Sequence, residues 1–320
     1  MSSTRILSST AERVYWLGRY LERADSTARL VTVNARLLYD LPKRLPLAWV
    51  GLVDITGARE NFDEHFDEPN EKSISRFLIN DTRNPGSLFS SLDFAKENVR
   101  TLRGIIPRRS VEYINDLHRS ARESLSEPLS RSRRLEGLSE VQSYLQRIEG
   151  FLSGNMLHDA HWTFLRLGNF IERADMTSRI LEVGCQDIFD DASELEPFLD
   201  IQWRSVLLSL DATQSYNQVV QGPVSQDAVL DFLVGNPQLP RSIAYTLNGL
   251  RNNVRSLPRN DKALRAVNRL RRQFAAGELA GLELDAVEKF MDDFQEALAE
   301  VDQLINRTYF QFNPRRRKKR

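Results

Sequence analysis

The sequence is nearly devoid of cysteine. Cys185 stands alone, so no disulfide can close within the chain and no Cys-x-x-Cys zinc motif can form. Long apolar runs are missing too. No stretch approaches the roughly 18 consecutive apolar residues of a membrane-spanning helix, and the start, Met1 to Ser9, lacks the apolar segment of a signal peptide. These absences lead to the expectation of a cytoplasmic protein in a reducing compartment with no membrane partner. Histidine is scarce, at 4 residues, and no His-Glu-x-x-His, Gly-rich phosphate loop or Gly-x-Ser-x-Gly elbow occurs. No cofactor is therefore expected. There is no net excess of either charge: Lys plus Arg equal Asp plus Glu at 44 each, and because Arg315 to Arg320 is wholly basic, the body carries 38 basic against 44 acidic residues. A mildly acidic body speaks against nucleic acid, since phosphate neutralisation needs clustered Lys and Arg.

What is present is an internal repeat. Leu17, Gly18, Glu22, Arg23, Ala24, Asp25, Thr27 and Arg29 recur without a gap as Leu167, Gly168, Glu172, Arg173, Ala174, Asp175, Thr177 and Arg179, an offset of 150. A second block, Phe77, Leu78, Pro85, Ser87, Leu92, Asn98, Val99, Arg100 and Leu102, recurs as Phe232, Leu233, Pro240, Ser242, Leu247, Asn253, Val254, Arg255 and Leu257, an offset of 155. Trp49 and Trp203 fall between the blocks at an offset of 154, and Asn115/Asn268 and Leu117/Leu270 follow at 153. Order and spacing are kept, which predicts a tandem duplication with units 1–155 and 156–312 and a disordered basic tail, 313–320.

Helical periodicity dominates both copies. Leu17, Leu21, Ala24, Ala28 and Val31 form one apolar stripe, and Leu88, Leu92, Ala95, Val99 and Leu102 form another behind the turn Asn84-Pro85-Gly86 and the capping Ser87. The run Trp49 to Val53 fits a helix or a short buried strand. Pro42 and Pro46, and Pro197 in the second copy, mark connections, while Ser120 to Glu136 with Pro128, and Gly150 to Asn155, are candidate boundaries. The expected fold is all-α, two multi-helix units packed as one body about a pseudo-twofold axis.

The sharpest polar feature lies beside the first stripe: Glu22, Asp25 and Arg29 with Gly18 in one copy, Glu172, Asp175 and Arg179 with Gly168 in the other. Spacings of four, three and four place each set on one helix face, and pseudo-symmetry would bring the two faces together. Such a cluster fits a ligand pocket, with carboxylates holding an amine and arginines holding a carboxylate or phosphate; it also fits a salt-bridge network that fixes docking, the commoner use of buried ion pairs. No metal site is expected, because carboxylate-bridged bundles use Glu-x-x-His, whereas here the i+3 residue is Asp and an Arg follows on the same face. His158 and His161 share the seam of Glu172, but their first-copy counterparts are Ser8 and Ala11. A weaker candidate binding set comprises Asn98, Arg100, Asn253 and Arg255. Cys185 reads as a buried, inert thiol.

The stretch Thr10-Ala11-Glu12-Arg13-Val14-Tyr15-Trp16-Leu17-Gly18-Arg19-Tyr20-Leu21-Glu22-Arg23-Ala24-Asp25, with Asn84-Pro85-Gly86-Ser87 and Glu97-Asn98-Val99-Arg100, resembles the bacterial alpha-E family, also known as domain of unknown function 403. Lys96 and Val99 depart from the Arg and Ala of that pattern. The resemblance implies an all-α module that accompanies, or is fused to, a circularly permuted ATP-grasp protein, often with a transglutaminase-like cysteine peptidase nearby. Two functions follow from it as expectations: a non-catalytic partner that presents a peptide substrate to the ligase, or an enzyme of amide or peptide-bond modification using the carboxylate/arginine cluster. No catalytic residue is assigned.

Overall fold

The computed structural model describes residues 7–40, 47–126, 129–185, 196–274, 279 and 281–311. Pro42, Pro46, Pro128 and the basic tail lie outside them. The described residues are all-α, with fourteen α-helices, a π-helical turn at Asn306–Phe310 and no strand.

Two long helices form the centre, α1 (Ser8–Asp40) and α8 (Ala160–Cys185). Both are buried over most of their circumference: Leu17, Ala24, Ala28 and Val31 are inaccessible on one face of α1, while Glu22, Thr27 and Arg29 are buried on others. A helix enclosed on all sides is a core helix, here wrapped by shorter amphipathic ones. The first half continues with α2 (Leu47–Ile55), α3 (Arg59–Asp63), α4 (Glu71–Ile79), α5 (Leu88–Thr101), α6 (Arg108–Ser124) and α7 (Arg131–Asn155). The second continues with α9 (Glu196–Ser209), α10 (Thr213–Val219), α11 (Gln226–Gly235), α12 (Ile243–Ser256), α13 (Asp261–Phe274) and α14 (Leu284–Ile305). The run Trp49 to Val53 is thus helical, within α2.

Helix order repeats between the halves, and so does packing. Helices α5 and α7 lie on α1 as α12 and α14 lie on α8, and α2 crosses onto α8 as α9 crosses onto α1. Local sequence sets the corresponding joints alike. Ser87 accepts from Ser90 N–H at the start of α5, and Ser242 accepts from Tyr245 N–H at the start of α12, which supplies one of the donors a helix N-terminus leaves open. The stripe Leu88, Leu92, Ala95, Val99 and Leu102 is buried as its spacing predicts. Pro197 lies in the first turn of α9, where its missing N–H does no harm. Gly150 to Asn155 continues α7 to its end, and the helix stops only at Met156.

The central helices touch at glycine. A Cβ on Gly168 would meet the carbonyl oxygen of Tyr15, and one on Gly18 the carbonyl oxygen of Leu165, each well under the 3.0 Å that real Cβ atoms respect. Tyr15 and Leu165 are themselves 150 residues apart, so the contact is reciprocal, of the form found at a twofold interface. Asn169 Nδ2 donates to Gly18 O across the crossing at 3.2 Å. Tyr309 and Phe310 of the π-helical turn close one end against Phe164 and Tyr15, at ring separations of 5.3 Å.

Candidate functional site

Because backbones meet at Gly18 and Gly168, side chains one turn further along reach across to the opposite helix. Arg173 clasps Glu22 with two bonds, Nε to Oε1 at 2.8 Å and Nη2 to Oε2 at 2.6 Å. In the mirrored arrangement Arg23 clasps Glu172, Nε to Oε1 at 2.5 Å and Nη2 to Oε2 at 3.0 Å. Forked, charge-assisted pairs of this kind are the strong ones. The candidate carboxylates flank nothing; they sit inside the interface, with Glu22 4% and Glu172 1% exposed.

Each end of the seam recruits different helpers. At the first pole Arg241, just before α12, reaches Glu22 Oε1 at 3.0 Å and Asp25 Oδ2 at 2.8 Å. Arg29 also pairs with Asp25 and approaches Asp211 at 3.4 Å. At the second pole Arg19 donates to Glu172 Oε2 at 2.7 Å and to Asp302 Oδ2 at 3.2 Å, and the Tyr15 hydroxyl donates to Asp302. Asp175 is left with Arg179, whose Nε donates to Oδ2 at 3.1 Å.

Titration follows this wiring. Burial works to raise the Glu22 carboxyl, but Arg173 and Arg241 outweigh it and hold the group at about 2. Glu172 is likewise lowered, Arg19 and Arg23 overcoming its burial. Asp175 moves the other way: burial and the neighbouring Glu172 charge push it up, and Arg179 offsets them only in part. A depressed folded value means that Glu22 contributes stability above its unfolded value of about 4.5, and that this contribution is lost as pH falls through about 2. Its size is on the order of 3 kcal/mol, at about 1.4 kcal/mol per pH unit. Urea unfolding at a series of pH values below neutrality should therefore show stability falling with acid, and the fall should be shallower in Glu22→Gln.

The remaining candidates are not brought to this centre. Asn98 Nδ2 donates to Arg13 O at 3.2 Å and Asn253 Nδ2 to Gly249 O of its own helix at 2.8 Å. Arg100 pairs with Glu97 at the surface, and Arg255 is exposed. His158 stacks on Trp162 and His161 bonds Asp159, so neither points into the seam. Burial pushes the Cys185 thiol up to about 12, which suppresses its thiolate. Among the described residues no group of three or more His, Cys, Asp or Glu is placed to hold a metal ion, and no helix is long and apolar enough to cross a membrane. A separate concavity of 740 Å³ lies at the α5–α6 turn, lined by Arg103, Ile106, Pro107, Val111, Glu112 and Leu157 among others. Nothing in the sequence pattern singled it out.

Sequence reasoning missed half of the seam. Arg23 and Arg173 were part of the repeated block yet stand off the face that carries Glu22, Asp25 and Arg29; only the close crossing lets them reach over. Arg19, Arg241 and Asp302 carried no signal, since Arg19 aligns with Asn169 and Arg241 with Gly86.

Comparison with known proteins agrees with this architecture. Uncharacterised proteins of Mycobacterium bovis (strain ATCC BAA-935 / AF2122/97) and Mycobacterium tuberculosis (strain CDC 1551 / Oshkosh) are each 25% identical over 276 residues. That match covers 81% of this chain and 30% of each relative, so the chain spans under a third of the length of the curated relatives it matches. No solved structure matches. Residues 6–310 match the Alpha-E family, described as "a predicted alpha-helical domain with a conserved ER motif", and Glu-Arg pairs at 22–23 and 172–173 are the two that clasp across the seam. The chain belongs to the Alpha-E family.

Proposed function

We propose that the chain is a non-catalytic module that binds, or presents a peptide substrate to, a circularly permuted ATP-grasp ligase in the cytoplasm, with a transglutaminase-like peptidase as a further companion. The observation that carries this reading is that all four seam carboxylates lie against guanidinium groups. A general base must accept a proton near neutrality, and a Glu22 held at about 2 is unsuited to that task. The network therefore reads as the fastener of the two central helices. The length of the mycobacterial relatives supports a module that works beside further sequence, since the matched region is 30% of each. The reciprocal contacts support reading units 1–155 and 156–312 as copies of one ancestral unit.

The alternative, an enzyme of amide-bond modification, is favoured by one residue alone. Asp175 has a raised pKa and is only half-buried, so it is the carboxylate best placed to act as a base. Affinity purification of the tagged chain expressed with its native operon separates the two readings. An ATP-grasp protein should be retained, and the purified chain alone should turn over no peptide. Recovery of the chain without such a protein, while the operon is expressed, overturns the proposal; amide turnover by the chain alone establishes the alternative.

A further inference from the structure

The two poles of the seam are equivalent by position but not by content. Arg241 and Asp211, which cover Asp25 and Arg29 at the first pole, align with Gly86 and Gly57 at offsets of 155 and 154. Backbone geometry is kept through the exchange: Asp211 has φ 52° and Gly57 φ 63°, both left-handed. Gly57 packs on the Arg179 guanidinium, where an added Cβ would lie 3.1 Å from Nη1, just as Asp211 lies against Arg29. Around Asp175 and Arg179 the second pole thus has the shape of the first with both neighbouring side chains removed, since Arg19 and Asp302 fill only its Glu172 side. Its ion pair is more open in consequence, with side-chain exposures of 25% for Asp175 and 30% for Arg179 against 13% for Asp25 and 10% for Arg29.

What was removed is a carboxylate and a guanidinium. Among the described residues Arg179 hydrogen-bonds a carboxylate through Nε alone, and Asp175 accepts a hydrogen bond from no cation besides Arg179, with Arg19 acting on it from further away. The repeat leaves one polar group unmatched as well: Thr27 Oγ1, 1% exposed, has no hydrogen-bond partner, whereas the equivalent Thr177 donates to the carbonyl of Arg241 at 3.0 Å.

We infer that the Asp175/Arg179 pole is a binding site for a zwitterionic ligand, an amino acid or a peptide end, whose carboxylate takes the place of Asp211 and whose cationic nitrogen takes the place of Arg241. The planar fork of Arg179 suits a carboxylate, and Asp175 suits an ammonium or guanidinium. The first pole shows the occupied state in miniature, with the chain's own side chains as ligand. This deepens the substrate-presenting reading above, yet it concerns the chain alone, so either can fail without the other.

The test titrates ω-amino acids of increasing length, glycine to 6-aminohexanoate, into the full chain and follows binding by calorimetry. At least one length should saturate the wild type. Arg179→Gln and Asp175→Asn should each weaken that binding by about tenfold or more, the loss expected for a charge-assisted contact. Sealing the pole with Gly57→Asp/Gly86→Arg should abolish binding while thermal melting stays at or above wild type; the sealed protein keeps the test decisive where a single variant folds poorly. Absence of saturable binding across the series, or binding that survives the sealed variant unchanged, overturns the inference.

Discussion

Gly168→Ala is expected to lower the melting temperature sharply, because the new methyl has nowhere to go. Its Cβ would overlap the Tyr15 carbonyl oxygen, a backbone atom of a helix that is itself enclosed on all sides. Relief requires α1 and α8 to separate, which disturbs the clasped Glu–Arg pairs on both sides of the crossing. Overpacking of this kind costs about 1–3 kcal/mol and more where the neighbour is rigid. Gly18→Ala should behave alike against Leu165, and the double variant should cost less than both together, since a single separation relieves both overlaps. Gly150→Ala and Gly154→Ala provide the contrast: both lie in α7 with open space around the added Cβ. There alanine should stabilise by about 0.5–1 kcal/mol through its better helix propensity. Melting curves of the four single variants decide the point.

Removing Glu172 should be the costliest single change in the seam. Its carboxylate neutralises Arg19 and Arg23, whose side chains are 12% and 23% exposed. Glu172→Ala leaves Arg23 without its ion-pair partner and Arg19 with Asp302 alone, in a site largely closed to water. Stranding a buried charge costs about 3–5 kcal/mol, more than the intact pair contributes over an apolar replacement. Part of that loss should return in Glu172→Ala/Arg23→Ala, which removes the stranded cation. Arg100→Ala, in a surface pair with Glu97 whose partners are 68% and 59% exposed, should change stability by about 0.5 kcal/mol or less. Equilibrium unfolding in urea measures all three.

How much of this was legible in the sequence depends on distance along the chain. The repeat of Gly18 to Arg29 in Gly168 to Arg179 was readable because it is an identity at a fixed offset, and the apolar stripes and serine caps were readable because they are local. The meaning of Gly18 and Gly168 was not. Periodicity placed them on a polar seam, whereas in the fold they are the point where two backbones meet, a property of a tertiary crossing that no single helix encodes. The same crossing explains why Arg23 and Arg173, off the predicted face, became the main partners. Arg241 and Asp302 reach the seam from 219 and 283 residues away, and neither belongs to the repeated block. Asn98 and Asn253 did recur in both copies, but each satisfies a backbone carbonyl, which is the commonest use of an asparagine beside a core.

Whether the seam fastens the fold is decided by urea unfolding of four proteins: wild type, Glu22→Ala, Arg173→Ala and the double variant. If the forked pair locks α1 to α8, each single change should cost several kcal/mol and the double change clearly less than their combined cost, a coupling of about 1.5–3 kcal/mol within the range for groups in one buried network. Additive losses of under about 1 kcal/mol each, the size seen for exposed pairs, would contradict it and would return the Glu22 carboxylate to the candidates for chemistry.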